Sequence, residues 1–582
     1  MRVTEGASRR SPARAARTRS AHAGESHSFD APRPHRGELV ALTVLLGALF
    51  LLSILTYLQL GEDSFITFRY VRNWVDGKGL VYNVGERVEG YSNLLWVLIL
   101  APFEALGLEQ HFWSRILSTA FFGALVATGW WAARRVVDRQ APLWVVWWLP
   151  CALALEPLLH YHDDRGLETV PYVALLAGAL FLVGARGSLW AAAALGALAT
   201  LTRPEGVGFA LSILPAVYLR AREDGKEPAW KPCLAYAALP LAAFVMQLLF
   251  RLAYYGEWLP NTMIMKRHGG GGGWVFILGL ILTHALLPLV GLAGLLLGLR
   301  IDRTRALAAG GLSMMLATWA FQLRAGALLN EGFRYQITLL VPAVLGLWLL
   351  IHALAQTFEP RRYRSGALFV GAVAALLLVL LPVLIYSEGS RFLLGNGNAP
   401  RSRLHVRLFE KGTWNIAERW RAFRLGPTHL NADAGRWVRE NLPADAFLAA
   451  DQMGQLGFYV HKDQRVLDLL GLMDAHIARH GFSTGYLLQR APQYLVVETC
   501  MDTTYWPRDW RLQPHVPALR AAFQDPALQA EYRPRWFLVP RLPFAQLGFM
   551  VYVHREVDDG EAMETVPVGA DVEEFERIWR VL

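Results

Sequence analysis

Cysteine is scarce in this chain, with three in 582 residues: Cys151, Cys233 and Cys500. Two fall in or near apolar runs and the third is alone, which excludes a disulfide framework and a cysteine metal site. Charge is scarce too: Asp, Glu, Lys and Arg make up 18% of residues, against 54% hydrophobic. That balance excludes a soluble protein with one modest core. Several stretches exceed the roughly 18 apolar residues that mark a bilayer-spanning helix. Basic patches interleaved with stacking aromatics are lacking, so the net charge of +9 does not point to nucleic acid. Much of it sits in Arg2, Arg9, Arg10, Arg14, Arg17 and Arg19, and in short loops between apolar runs. No convincing cleavage site follows Arg9-Arg10, and the next apolar run is too distant and too long for an export signal. There is no internal repeat. The five glycines Gly269–Gly273 are not a nucleotide loop, because no strand precedes them and no Gly-Lys-Ser/Thr follows.

What is present is a succession of apolar runs. The expected spans are 38–60, 112–133, 142–158, 169–185, 189–202, 204–219, 233–253, 274–298, 306–323, 335–356 and 366–386, about eleven in all. Residues 94–108, broken by Pro102 and Glu104, read as a helix lying on the membrane surface. Lys and Arg favour cytoplasmic loops, and one threading puts every basic cluster on that side: Arg134-Arg135, Arg186, Arg220 to Lys231, Arg300 to Arg305 and Arg361 to Arg364. The expected organisation is therefore a basic cytoplasmic tail (1–36), a polytopic α-helical membrane domain (37–386) and an extracytoplasmic domain (387–582). In the last part apolar runs shorten to strand length, at Phe447–Ala450, Val466–Leu470, Tyr494–Val497, Trp536–Val539 and Phe549–Val553. A helical pattern at Ala432–Glu440 lies among them, which predicts a soluble α/β domain.

The opposite face collects ionisable motifs from loops far apart in sequence. They are Glu62-Asp63, Glu89-Gly90-Tyr91, His160 to Glu168, Thr202 to Gly206, Tyr255 to Thr262 and Glu331 to Tyr335. Polar groups at span ends are a functional-site hypothesis by default. Glu62-Asp63 carries the sharpest reading, an acidic pair that removes a hydroxyl proton beside a lipid. Equally open is a structural one, with Asp63 capping a helix over Ser64–Trp74. Arg203, in Thr-Arg-Pro-Glu-Gly, reads either as a phosphate clamp or as a snorkelling arginine at a proline break. Lys266-Arg267-His268 is positive charge on the side where it is disfavoured, a mild pointer to an anion. His160, His162, Asp163 and Asp164 have spacings compatible with a divalent metal, but no metal or other cofactor is predicted.

As a set, the motifs resemble the GT-C glycosyltransferases, and within them the actinobacterial terminal β-(1→2)-arabinofuranosyltransferase group. The resemblance rests on Glu62 to Tyr70 (EDSFITFRY), Asp76 to Asn83, Glu86 to Asn93 (ERVEGYSN), Gly166 to Thr169, Thr202 to Gly206, Trp258 to Thr262 with Lys266, and Asp468 to Asp474. It covers most of residues 40–480 and leaves out the basic tail and the glycine run. It implies a polyprenyl-phosphate sugar donor, a cell-envelope glycan acceptor and an active site on the outer face of the plasma membrane. It also implies a first-loop acidic residue as base. Asp63 matches that position, while Glu62 stands where many relatives carry Asp. On this reading Arg69, Arg203, Lys266 and Arg334 are candidates for the donor phosphate. Glu89, Tyr91, Asn93, His162, Glu168, Glu205 and Asn261 are candidates for sugar or acceptor contacts. A transporter or lipid flippase, a protein or lipid A glycosyltransferase, and a membrane-anchored polymer-binding protein are the competing classes.

Overall fold

The computed structural model describes residues 34–56, 61–138, 141–163, 165–266, 273–284, 286–325, 334–357, 371–373, 375–376, 430–501, 512–514, 517–540 and 547–569. The helical part begins with α1 (Arg36–Thr56), α2 (Glu62–Val75), α3 (Leu94–Ala105), α4 (Gln110–Val136), α5 (Leu143–Ala154), α6 (Pro157–Asp163), α7 (Thr169–Gly184) and α8 (Leu189–Thr202). It continues through α9 (Gly206–Leu211), α10 (Leu214–Glu223), α11 (Trp230–Tyr255), α12 (Asn261–Lys266), α13 (Gly273–Thr283), α14 (Leu287–Gly298), α15 (Arg305–Ala325) and α16 (Ile337–Thr357).

Among the described residues, α1, α4, α11, α15 and α16 are long and apolar enough to cross a bilayer, and the bent pairs α5/α6 and α13/α14 raise the number to at most seven. The expected eleven differ from this for local reasons. The stretch 142–158 breaks before Pro157, with a bend of 45°. The stretch 204–219 divides into α9 and α10, and α7 and α8 have 16 and 14 residues, shorter than a full span. A residue before proline is pushed out of the helical region, so chain breaks gather there. The surface helix expected at 94–108 is α3, a single short helix packed on α2 and α4. The last expected span, 366–386, lies almost wholly outside the described residues, as do nearly all of the tail and four of the five glycines.

The helices pack through small residues. A Cβ on Gly291 or Gly294 of α14 would run into the backbone of Ala343 or Gly346 of α16. Glycines let two backbones approach closely where apolar side chains gain nothing by leaving lipid. This part has its own core, from Phe122 and Trp148 to Leu340 and Trp348.

The C-terminal domain comprises α17 (Leu430–Asn441), β1 (Phe447–Ala450), α18 (Gln455–Tyr459), β2 (Arg465–Asp468), α19 (Ala475–His480), α20 (Thr484–Arg490), β3 (Tyr494–Met501), β4 (Leu512–Pro514), α21 (Pro517–Phe523), α22 (Pro526–Glu531), β5 (Tyr532–Pro540), β6 (Leu547–His554) and β7 (Glu564–Val568). All five expected strands are present. The sheet order is β2-β1-β3-β6-β5-β7, with β4 on β3. Strands β1, β2 and β3 are mutually parallel, and β6 runs antiparallel to β3 and β5. The turn after β1 faces α2, since Tyr82 Oη donates to the Met453 carbonyl and Gln455 N–H to Glu62. Carboxyl ends of parallel strands are where α/β sheets usually gather binding groups. One core joins the two parts: Phe65, Phe68 and Tyr82 pack in the same cluster as Leu448, Leu456 and Val466.

Candidate active site

Helix α2 begins at Glu62, with Gly61 as its N-cap and no side-chain cap. Asp63 therefore does not cap the helix. Both acids lie in its first turn, where the free N–H groups favour negative charge. Consecutive helical residues point about 100° apart, and this separates the pair. Glu62 turns toward the C-terminal domain, where its Oε1 accepts from Gln455 N–H at 2.8 Å. Burial there pushes its carboxyl up to about 8, against the hydrogen bond from Gln455 and the neighbouring Asn431 amide. Asp63 stays open, with its side chain 57% exposed, and meets Arg334 Nη1 at 2.9 Å.

Arg334 is the outer link of a longer network. Its Nη2 donates to Glu168 Oε1 at 3.0 Å. Arg203 Nη1 donates to the same oxygen at 2.8 Å, and Arg203 Nε to Glu205 at 2.6 Å. The other Glu168 oxygen accepts from Asn93 Nδ2 at 2.7 Å, and the Asn93 carboxamide also bonds Thr67 of α2. Glu168 is fully buried. Burial alone would raise its carboxyl; the guanidiniums of Arg334 and Arg203 and the Asn93 amide overcome that and hold it at about 2. Arg203 owes its place to local chemistry. It precedes Pro204, leaves α8 with φ −148° and ψ 145°, and so turns its side chain out of the helix row toward Glu168. The Tyr335 and Tyr172 rings lie 5.5 and 5.8 Å from its guanidinium. The result is a solvent-open carboxylate beside two oriented guanidiniums, an arrangement suited to removing a proton next to a bound anion.

Several other candidate residues are occupied elsewhere. Arg69 is buried, and Nε and Nη2 donate to the carbonyls of Tyr82 at 3.0 Å and Gln464 at 2.8 Å, with Nη1 on the Gly457 carbonyl. The structure thus gives it a different task from the phosphate contact expected of it, fastening α2 to the C-terminal domain. Glu89 forms a buried ion pair with Arg251. Tyr91 is buried in a ring cluster, 5.0 Å from Tyr70 between centroids. Asn261 is buried, and its Nδ2 donates to the carbonyls of Gly471 and Leu472, each at 2.9 Å. Glu89 and Tyr91 tie the first loop to α2 and α11, and Asn261 ties α12 to the C-terminal domain; all three are buried rather than lining an open surface. His162 lies buried on α6 rather than in a solvated loop, edge-on to Tyr161. The Lys266 side chain lies outside the described residues. His160 bonds the Ala154 carbonyl and Asp163 accepts from Ser53 and Thr119. Among the described residues no group of three or more His, Cys, Asp or Glu is placed to hold a metal ion.

Sequence reading missed Arg251 and Gln455. Arg251 was detectable, since a charge inside an apolar helix (LLFRLAYY) needs a buried partner. Gln455 acts through its backbone N–H, which carries no sequence signal.

Fold and site together define a class, a multi-pass membrane protein with the GT-C fold. The same fold is seen in ArnT from Cupriavidus metallidurans bound to undecaprenyl phosphate, at a TM-score of 0.51 and 17% identity over 82% of this chain and 98% of that one. The apo form of that ArnT aligns at 0.46 and 16% identity, over 82% of this chain and 97% of that one. In sequence, the chain is similar to the terminal β-(1→2)-arabinofuranosyltransferase of Corynebacterium glutamicum, 26% identical over 257 residues. That match spans 38% of this chain and 35% of that relative. Residues 415–539 match the family described as a domain of unknown function (DUF8728).

Proposed function

We propose that the protein is an inverting glycosyltransferase. It moves a sugar from a polyprenyl-phosphate donor to a glycan of the cell envelope, on the outer face of the membrane. The Asp63–Arg334–Glu168–Arg203 network carries this reading. It brings one open carboxylate and two guanidiniums together at the ends of apolar helices. The acceptor hydroxyl gives its proton to an Asp63 oxygen as its own oxygen attacks the anomeric carbon. The bond from that carbon to the phosphate oxygen breaks, and its electron pair leaves with the polyprenyl phosphate. Arg334 and Arg203 stabilise the negative charge that builds there. Single displacement inverts the anomeric configuration. The donor supplies its own activated leaving group, so the residues need no redox cofactor. Arabinofuranose is the sugar named by the partial sequence relative, and that supports it as the transferred group. The ArnT complex with undecaprenyl phosphate supports a lipid-linked donor.

The test uses the purified full chain in nanodiscs with polyprenyl-phosphate arabinofuranose and a short arabinofuranoside acceptor, read by mass spectrometry. Product forms with wild type and not with Asp63→Asn, which stays folded and still binds donor. Normal turnover by Asp63→Asn would remove Asp63 as base. Unchanged envelope glycans in a deletion strain, with altered movement of lipid-linked sugar, would replace the transferase reading with a flippase.

A further inference from the structure

Arg334 is divided between two carboxylates here. Nη1 is given to Asp63 and Nη2 to Glu168, at 2.9 and 3.0 Å. The two arms are unequal. The Glu168 end is fully buried and shares its carboxylate with Arg203 and Asn93, whereas the Asp63 side chain is 57% exposed. An exposed ion pair is weak, and a buried, multiply bonded one is hard to break. Any anion arriving from solvent therefore displaces Asp63 and leaves the Glu168 arm in place. Charge balance points the same way. Among the described residues, the ion pairs of Asp63, Glu168 and Glu205 are with Arg203 and Arg334 alone. Three described carboxylates meet two described guanidiniums, so a phosphate drawn to these cations takes over one that is already engaged.

We propose that Arg334 is an exchange residue, which passes its outer N–H groups from Asp63 to the donor phosphate and frees the base only once the donor is seated. This rests on the donor assignment above and deepens it into an order of events, donor first and acceptor second. An acceptor hydroxyl must share the Asp63 carboxylate with the guanidinium held on Oδ2. Donor binding turns that competitor toward the phosphate and brings an anionic neighbour close to Asp63. A nearby like charge strengthens a carboxylate's hold on a proton. Asp63 thus becomes the better base when the leaving group is in position. Glu168 makes the exchange reversible, because Arg334 pivots on a fixed anchor instead of leaving the site.

A binding cycle tests this with undecaprenyl phosphate as probe, titrated into the full chain in nanodiscs. Four proteins are compared: wild type, Asp63→Asn, Arg334→Gln and the double variant. Asp63→Asn should bind the probe about fivefold more tightly, the size expected from freeing one exposed ion pair. Arg334→Gln and the double variant should bind alike, because no arginine remains to be freed. Simple repulsion between Asp63 and phosphate predicts instead that the gain persists without Arg334, and that result overturns the exchange. Equal affinity of wild type and Asp63→Asn also overturns it. Absence of any probe binding by wild type removes the donor assignment itself, and the exchange with it. A second measurement needs no Arg334 variant: carbodiimide labelling of Asp63 in wild type, read by mass spectrometry. Labelling should quicken when undecaprenyl phosphate is added, and slower or unchanged labelling overturns the proposal.

Discussion

Replacing Glu168 by Gln keeps the size of the side chain and removes the charge on which both arginines converge. Its carboxyl lies at about 2 in the fold, against 4.5 ordinarily. At about 1.36 kcal/mol per pH unit, that gap is worth about 3 kcal/mol of stability. An independent route agrees, since breaking a buried ion pair by removing one partner costs about 3–5 kcal/mol. Because the folded value is depressed, the contribution is complete above about pH 4.5 and lost as pH falls toward 2. At pH 7 Glu168→Gln should therefore lower the melting temperature in nanodiscs by about 2–3 °C, given the size of the chain. The gap to wild type should close on acidification, because the wild-type carboxyl also becomes neutral. Transfer should fall by about 100-fold, since Arg203 and Arg334 lose the anchor that aims them. Equal melting at pH 7, or a gap that stays constant from pH 7 to pH 2.5, would refute the reasoning.

Glu62→Gln has the opposite pH signature. Burial holds the Glu62 carboxyl up at about 8, so the fold binds its proton more tightly than the unfolded chain does. Wild-type stability should then fall between about pH 4.5 and 8 and level off above that. Protection from hydrogen exchange at residues 454–459, taken relative to the intrinsic rate at each pH, should fall as pH rises in wild type and stay level in Glu62→Gln; parallel profiles would contradict the assignment. Arg69→Ala removes bonds to three carbonyls on both sides of the junction and leaves them buried, a cost of about 3 kcal/mol or more. Protection at residues 457–466 should drop while that of α16 is retained, and an unchanged protection pattern would rule out the fastening role.

The sequence by itself determined the elements. Apolar runs of span length became α1, α4, α11, α15 and α16, and short β-rich runs became β1, β2, β3, β5 and β6, because burial and periodicity are local properties. It also marked the acidic pair, the Thr-Arg-Pro-Glu-Gly break and Glu168, since ionisable residues at span ends stand out against an apolar background. Tertiary structure alone decided which of them meet. Arg334 reaches Asp63 across 271 positions and Arg69 reaches Gly457 across 388, and no local pattern encodes contacts of that range. It decided as well that Glu89, Tyr91 and Asn261 are spent on internal contacts, because a polar side chain reads the same in sequence whether its partner is a ligand or another part of the chain. The division of labour between Glu62 and Asp63 came from the same source. Two adjacent acids differ by one helical step, and only the packing of the C-terminal domain against one side of α2 buries the first and leaves the second open.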